Sequence, residues 1–219
     1  MAFSGQFPGR ESYPGDIFHI HSKLLERAGS FRVKGKSAAI TCLPVAESPS
    51  GDIIGYIQTN LMSMTDGHLY FDSDLYFRGI RPALNVFLSV TRVGRQTQSP
   101  LLRDIGTTAL AALKKYEKAQ SFLRFGPDIS PELQETIKLG DHITTFLDQT
   151  GSWSMGSLLA AVLFALITIN AWDGTNGQAI TKRYETDTSY RKAIGDLIKK
   201  SASLKELTIA IQKANTAIV

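Results

Sequence analysis

The chain has 219 residues, 43% of them apolar and 20% charged, with a formal net charge of +4. That apolar share supports a sizeable core and excludes a disordered chain or long single-sign tails. The single cysteine, Cys42, excludes a disulfide framework and a four-cysteine zinc site, and the mild basicity suits an acidic neighbour as well as a nucleic acid.

Met1–Phe7 has no charged stretch followed by an apolar run, so no leader peptide is expected. The first helix is expected from about Asp16, with Ile17, Ile20, Leu24 and Ala28 on one face and Gly29 as the stop. Ala38–Val45 reads as a buried strand and Asp52–Thr59 as a second, joined by turn chemistry at 47–51. Leu69–Phe71 reads as a short strand or extended edge, and Val86–Val93 as a further strand. Near Gln96 the pattern changes and the rest reads at helical period. Ser99–Pro100 is a helix start, an N-cap serine before Pro at the first helical position. That helix is expected to run to about Phe125, stop at Gly126, and turn Ile105, Ala109, Ala112, Leu113, Tyr116 and Leu123 inward. Ser130–Pro131 repeats the signal. Helices are expected over Pro131–Leu139, His142–Leu147, Met155–Trp172, Ser189–Lys200 and Leu204–Ala217, packed as a bundle. The longest apolar run, Leu158–Ile167, is too short for the ~20 residues of a membrane span and reads as a buried core helix.

Few side-chain patterns point to chemistry. Gly35-Lys36-Ser37 ends like a phosphate-binding loop, but Ser30 stands where the first glycine is needed and a β-rich run follows instead of a helix. A hairpin turn is the expected reading. His19 and His21, two apart on a helix, fall on different faces and do not form a metal pair. Cys42 lies in an apolar run and reads as an inert buried thiol. Arg78, Arg81, Arg92 and Arg95, with Tyr70, Tyr76 and Phe77, form a loose basic and aromatic cluster of the kind that binds single strands, without a nucleic-acid motif to support it. Arg92 ends the run Val86-Phe-Leu-Ser-Val-Thr-Arg92. An arginine at a strand end can project its permanent charge towards a phosphate; a solvated or salt-bridged arginine is the alternative.

Three ordered stretches carry a resemblance: Pro8-Gly-Arg-Glu-Ser-Tyr-Pro-Gly-Asp16 with Ile17–Arg27, Tyr56–Gly67 ending in Ser-Met-Thr-Asp-Gly, and Arg78-Gly-Ile-Arg-Pro-Ala-Leu-Asn85 leading into Leu88-Ser-Val-Thr-Arg-Val-Gly94. Together they resemble the α subunit of F-type ATP synthases, with Ser-Met-Thr-Asp-Gly and Arg-Pro-Ala-Leu-Asn favouring α over β. The resemblance is closest over Pro8–Gln98 and continues to Trp172. It implies an α/β portion followed by an all-α one: the end of a RecA-like nucleotide-binding domain over 1–96 and a C-terminal helical bundle over 97–219. In the family the phosphate-binding loop lies upstream of Pro8, and Met1–Phe7 departs from the arginine-rich stretch that usually comes next. The resemblance therefore implies a fragment, a split gene or a truncated copy that does not hydrolyse ATP alone.

The resemblance also implies site roles. Arg92 matches the arginine that reaches in trans into the catalytic site on β, and Ser63 a serine at the same interface. Arg81 and Pro82 match residues beside the nucleotide of the subunit's own non-catalytic site, Tyr76 an aromatic near its base, and Gln149 the first of two glutamines near the adenine. The second falls near Ser152. The implied cofactor is ATP or ADP with Mg²⁺ in a complete subunit, with no tight binding by this chain alone and no metal held by its own residues. The implied partners are the β subunit, the γ subunit of the central stalk and other α copies in a hetero-oligomeric ring; nucleic acid is not among them. The implied location is peripheral, on the inner face of the cell or organelle membrane, reached only through the complex. A second reading is a non-enzymatic truncated paralogue that docks on β or self-associates. The lysine-rich segment Asn176–Val219 reads as solvated helix faces.

Overall fold

The computed structural model describes residues 15–48, 51, 53–123, 130–149 and 155–214. It forms two compact units, one of residues 1–74 with 84–93 and one of residues 75–83 with 94–219. The first mixes helices with two-stranded sheets and the second is helical, which is the expected partial α/β portion followed by a bundle.

The first unit begins with α1 (Ile17–Leu25), which touches the later helix α2. A hairpin follows, β1 (Gly29–Val33) and β2 (Lys36–Ile40), antiparallel from Gly29 opposite Ile40 to Val33 opposite Lys36. Its two-residue turn puts Lys34 at φ 49° and Gly35 at φ 78°. Two left-handed residues in succession match the twist of a tight hairpin, so the expected hairpin turn is present at Lys34–Gly35, with Lys36 and Ser37 opening β2. The strand is shorter than Ala38–Val45, and its partner β1 was not anticipated. Every residue of both strands is exposed, and Cys42 is an exposed thiol, not a buried one. The run is apolar, but no layer of the described residues covers it: Leu43 is 82% and Val45 95% exposed.

Asp52 lies outside the described residues, and the strand expected up to Thr59 is replaced by α2 (Tyr56–Met64). Ile57, Leu61 and Met64 recur at helical spacing, a pattern cut in half by ending the segment at Thr59. β3 (Gly67–His68) follows, then α3 (Ser73–Phe77), which carries the chain into the second unit. The expected edge Leu69–Phe71 survives as an isolated antiparallel bridge, Phe71 to Leu84. The strand expected over Val86–Val93 shrinks to β4 (Val90–Thr91), paired antiparallel with β3. Asn85 explains the loss. Its Oδ1 accepts from the Phe87 and Leu88 amides at 3.1 Å, and its own carbonyl accepts from Ser89 N–H and Oγ. A side chain that offers the backbone this local alternative displaces a sheet ladder.

In the second unit a 3-10 turn (Gly94–Gln96) leads to α4 (Pro100–Leu123). The Ser99 Oγ accepts from Leu102 N, as its N-cap position predicts. The stop at Gly126, like the Leu123 side chain, lies outside the described residues. α5 (Pro131–Leu147) is one helix where two were expected, with Ser130 as its N-cap. Gly140 reads as a stop but sits inside, because a Cβ there would meet the Tyr116 ring. α6 (Ser157–Thr168) is the expected core helix: Leu159 and every residue from Ala161 to Ile167 are buried. No helix among the described residues is long and apolar enough to cross a membrane.

α7 (Gly174–Thr186) has no counterpart among the expected helices. Only Gly177, Ile180 and Thr181 of it are buried, so its apolar stripe is faint. Its start is nonetheless a capping box, in which Asp173 Oδ1 accepts from Asn176 N and Asn176 Oδ1 from Asp173 N. α8 (Thr188–Lys200) and α9 (Leu204–Ala214) close the bundle around α6, burying Tyr190, Ile194, Leu204, Leu207 and Ile211.

Candidate functional site

The residues singled out by the sequence fall into two groups, one in each unit. In the first unit β3 and β4 run antiparallel with Gly67 opposite Thr91. A Cβ on Gly67 would come within 2.5 Å of the Val90 carbonyl oxygen, so only glycine allows the strands to close there. The Arg92 amide donates to the Asp66 carbonyl at 2.8 Å. That pairing delivers the Arg92 side chain to the C-terminal end of α2. Its guanidinium donates to the carbonyls of Met62 at 3.0 Å and Ser63 at 3.3 Å.

Four of the five residues of Ser63-Met-Thr-Asp-Gly67 thus have a local job. Ser63 offers its carbonyl to Arg92, while its hydroxyl donates to Asn60 O at 2.7 Å. Thr65 ends the helix by donating to Leu61 O at 2.9 Å, Asp66 receives the Arg92 amide, and Gly67 permits strand contact. A cation at a helix C-terminus is stabilised by ~0.3–1 kcal/mol through the helix dipole. The guanidinium's partners, the Met62 and Ser63 carbonyls, are neutral, and the side chain is exposed. An anchored, exposed guanidinium can neutralise an anion arriving from outside.

In the second unit Tyr76, Arg81, Pro82 and Gln149 are brought together. The Arg81 guanidinium lies 3.9 Å from the Tyr76 ring centroid and donates to the carbonyls of Tyr76 at 2.8 Å and Ile80 at 2.9 Å. The Arg81–Pro82 peptide is cis. The Arg81 backbone is gripped by the end of α5: its amide donates to Asp148 Oδ1 at 3.2 Å, and its carbonyl accepts the Gln149 amide. Phe77 meets the Tyr76 ring edge-on, with centroids 5.8 Å apart. Tyr76 is 54% exposed, and the Gln149 side chain and Pro82 are exposed. This group presents an aromatic surface and a free amide, which suit a planar heterocycle, and no cradle for phosphates. Ser152 lies outside the described residues.

The four arginines of the loose cluster fall in different units, Arg92 in the first and Arg78, Arg81 and Arg95 in the second. Arg92 caps α2, Arg81 folds back over Tyr76, and nothing is described of the Arg95 side chain. His19 and His21 lie on α1, the first exposed and the second partly buried. Two positioning residues were missed. Asp148 fixes the Arg81 amide, and its place beside Gln149 was the available signal. Asn85 orders the loop between the Tyr70 strand edge and β4, and its Nδ2 donates to Asp72 at 3.0 Å. Its place at the end of Arg-Pro-Ala-Leu-Asn was the signal there.

The first unit is a short α/β unit that presents an arginine at the end of a strand, and the second is a helical bundle. Residues 2–91 match the model of the ATP synthase alpha/beta family, nucleotide-binding domain, which supports that family for this part of the chain. Ser63, Tyr76, Arg81 and Pro82 lie within the matched stretch, Arg92 directly follows it, and Gln149 stands outside it.

Proposed function

We propose that the chain is part of an α-type subunit of an F-type ATP synthase, and that Arg92 is its contribution to catalysis on a neighbouring β subunit. The observation that carries this reading is the state of Arg92: exposed, aimed by the β3–β4 pairing, and held by backbone carbonyls. Such a charge is available to the transferring phosphoryl group of a neighbour, whose negative charge is spread over three equatorial oxygens in the transition state. A trans arginine of this kind contributes ~10³–10⁵ in rate in comparable enzymes.

Tyr76, Arg81, Pro82 and Gln149 form the base end of the subunit's own regulatory nucleotide site. When ATP or ADP with Mg²⁺ is bound in the complete subunit, the phosphates and the metal are held by residues outside this chain. These four side chains position the heterocycle and take no part in proton or phosphoryl transfer. The exposed apolar side chains of the first unit, among them Phe18, Ile20, Leu24, Leu43 and Val45, fit burial in an assembly, since patches of this kind mark interfaces. β, γ and further α copies are the proposed neighbours, and the membrane is reached only through them.

The test is Arg92→Lys in the assembled complex. Lysine keeps the charge and loses the planar fork. Turnover is expected to fall by at least ~10²-fold, within the range an arginine finger commands, with nucleotide affinity nearly unchanged. Unchanged turnover sinks the assignment.

A further inference from the structure

Residues 174–214 carry eight Lys and Arg against four Asp and Glu, a net +4 equal to that of the whole chain. The other residues are balanced, so the excess charge is confined to α7, α8 and α9. Within these segments two of the four acids and both arginines are already engaged. The Asp187 carboxylate caps α8 by accepting from Ser189 N and Tyr190 N, and Glu206 accepts from Ala202 N. Arg183 lies 4.4 Å from the Tyr190 ring centroid. Arg191 donates to the carbonyls of Tyr184 and Glu185.

The lysines of α8 remain exposed. Lys192, Lys199 and Lys200 share one side with Gly195 and Asp196, at the three-, four- and seven-residue spacings that align on a helix. The opposite side, Tyr190 and Ile194, is buried in the core. Gly195 costs the helix ~1 kcal/mol relative to alanine, and a Cβ there would meet nothing within 4 Å. No internal packing demands the glycine; it leaves a notch at the edge of the cationic face, between Lys192 and Lys199 along the helix.

We propose that this outer face of α8 docks an acidic helical segment of another protein, one that seats its backbone over Gly195 and presents carboxylates to Lys192, Lys199 and Lys200 with a cation opposite Asp196. Three features favour a protein over a phosphate-bearing surface. Asp196 sits among the lysines and repels phosphates, whereas a protein can answer it. The arginines, which grip phosphate bidentately, are engaged within the chain, Arg183 over the Tyr190 ring and Arg191 on the Tyr184 and Glu185 carbonyls. The apolar side of α8 is consumed by the core and has nothing to insert into a bilayer. The inference is independent of the role given to Arg92.

The probe is a fluorescent helical peptide with glutamates at matching spacing and one central lysine, titrated by anisotropy against the full chain in low salt. Lys192→Glu with Lys199→Glu is expected to weaken binding at least ~10-fold, because close charge pairs across an interface are strongly coupled. A lysine-for-glutamate peptide is expected to bind the reversed chain. Gly195→Leu, which leaves charge unchanged, is expected to weaken binding too, and Lys114→Glu with Lys115→Glu on α4 to leave it intact. Circular dichroism verifies that each variant folds, and Lys→Gln replaces any reversal that does not. The proposal is overturned if the peptide does not bind, if the α4 reversal weakens it equally, or if vesicles rich in phosphatidylserine or a single-stranded oligonucleotide bind more tightly than the peptide.

Discussion

Tyr116 and Asp141 join α4 to α5 through one short hydrogen bond, the phenol donating to Oδ1 at 2.5 Å. Burial, and then the carboxylate that accepts its proton, push the Tyr116 pKa from 10.0 up to about 12. The folded pKa lies above the unfolded one, so the neutral phenol's contribution is fully present below pH ~10 and is lost as pH rises towards ~12. A difference experiment isolates it from the lysines that titrate nearby. Denaturation of the wild type and of Tyr116→Phe, followed from pH 9 to 12, is expected to show the wild type losing stability more steeply. Parallel curves would mean that the phenol is not held by the carboxylate. The same scale shows what was legible in single residues. The clustering of Tyr76, Arg81 and Gln149, and of Ser63 with Arg92, followed from motifs. The carbonyl anchors of Arg92 did not, because backbone acceptors leave no mark on side-chain identity.

Two helix-interior glycines invite the same substitution with opposite results. In α5 a Cβ on Gly140 would come within 2.1 to 2.7 Å of Cδ2, Cγ and Cβ of Tyr116, atoms near the root of the side chain that cannot swing away. Overpacking of this kind costs ~1–3 kcal/mol and outweighs the ~1 kcal/mol that alanine adds to a helix. In α8 the space beside Gly195 is open, so only the propensity gain remains. Gly140→Ala is therefore expected to lower the midpoint of urea unfolding and Gly195→Ala to raise it; the same sign at both sites would contradict the packing described. Elements were readable from sequence where an apolar stripe met a cap, as in α4 and α8, or where the run was apolar throughout, as in α6. They were misread where local chemistry competed with the pattern. Gly140 imitates a helix stop because its reason, a ring on another helix, is tertiary. Val86–Val93 imitates a strand until Asn85 bonds its neighbours' amides. α7 is nearly without a stripe, and its capping box was the signal to follow.

At the scale of the whole molecule the two units differ in how much of their apolar surface they bury. The second has a continuous core around α6, while in the first no residue of α1, β1, β2 or α2 is buried. Runs such as Ala38–Val45 have the composition of interior strands and the exposure of a surface, which is the mark of a unit whose covering layers come from other residues or chains. The most direct test of the account replaces Arg92 with a photoreactive side chain in the assembled enzyme and identifies the cross-linked peptides by mass spectrometry. The account predicts products joined to a neighbouring subunit beside its bound nucleotide. Products confined to α2 of the same chain, where the guanidinium meets Met62 and Ser63, would contradict it.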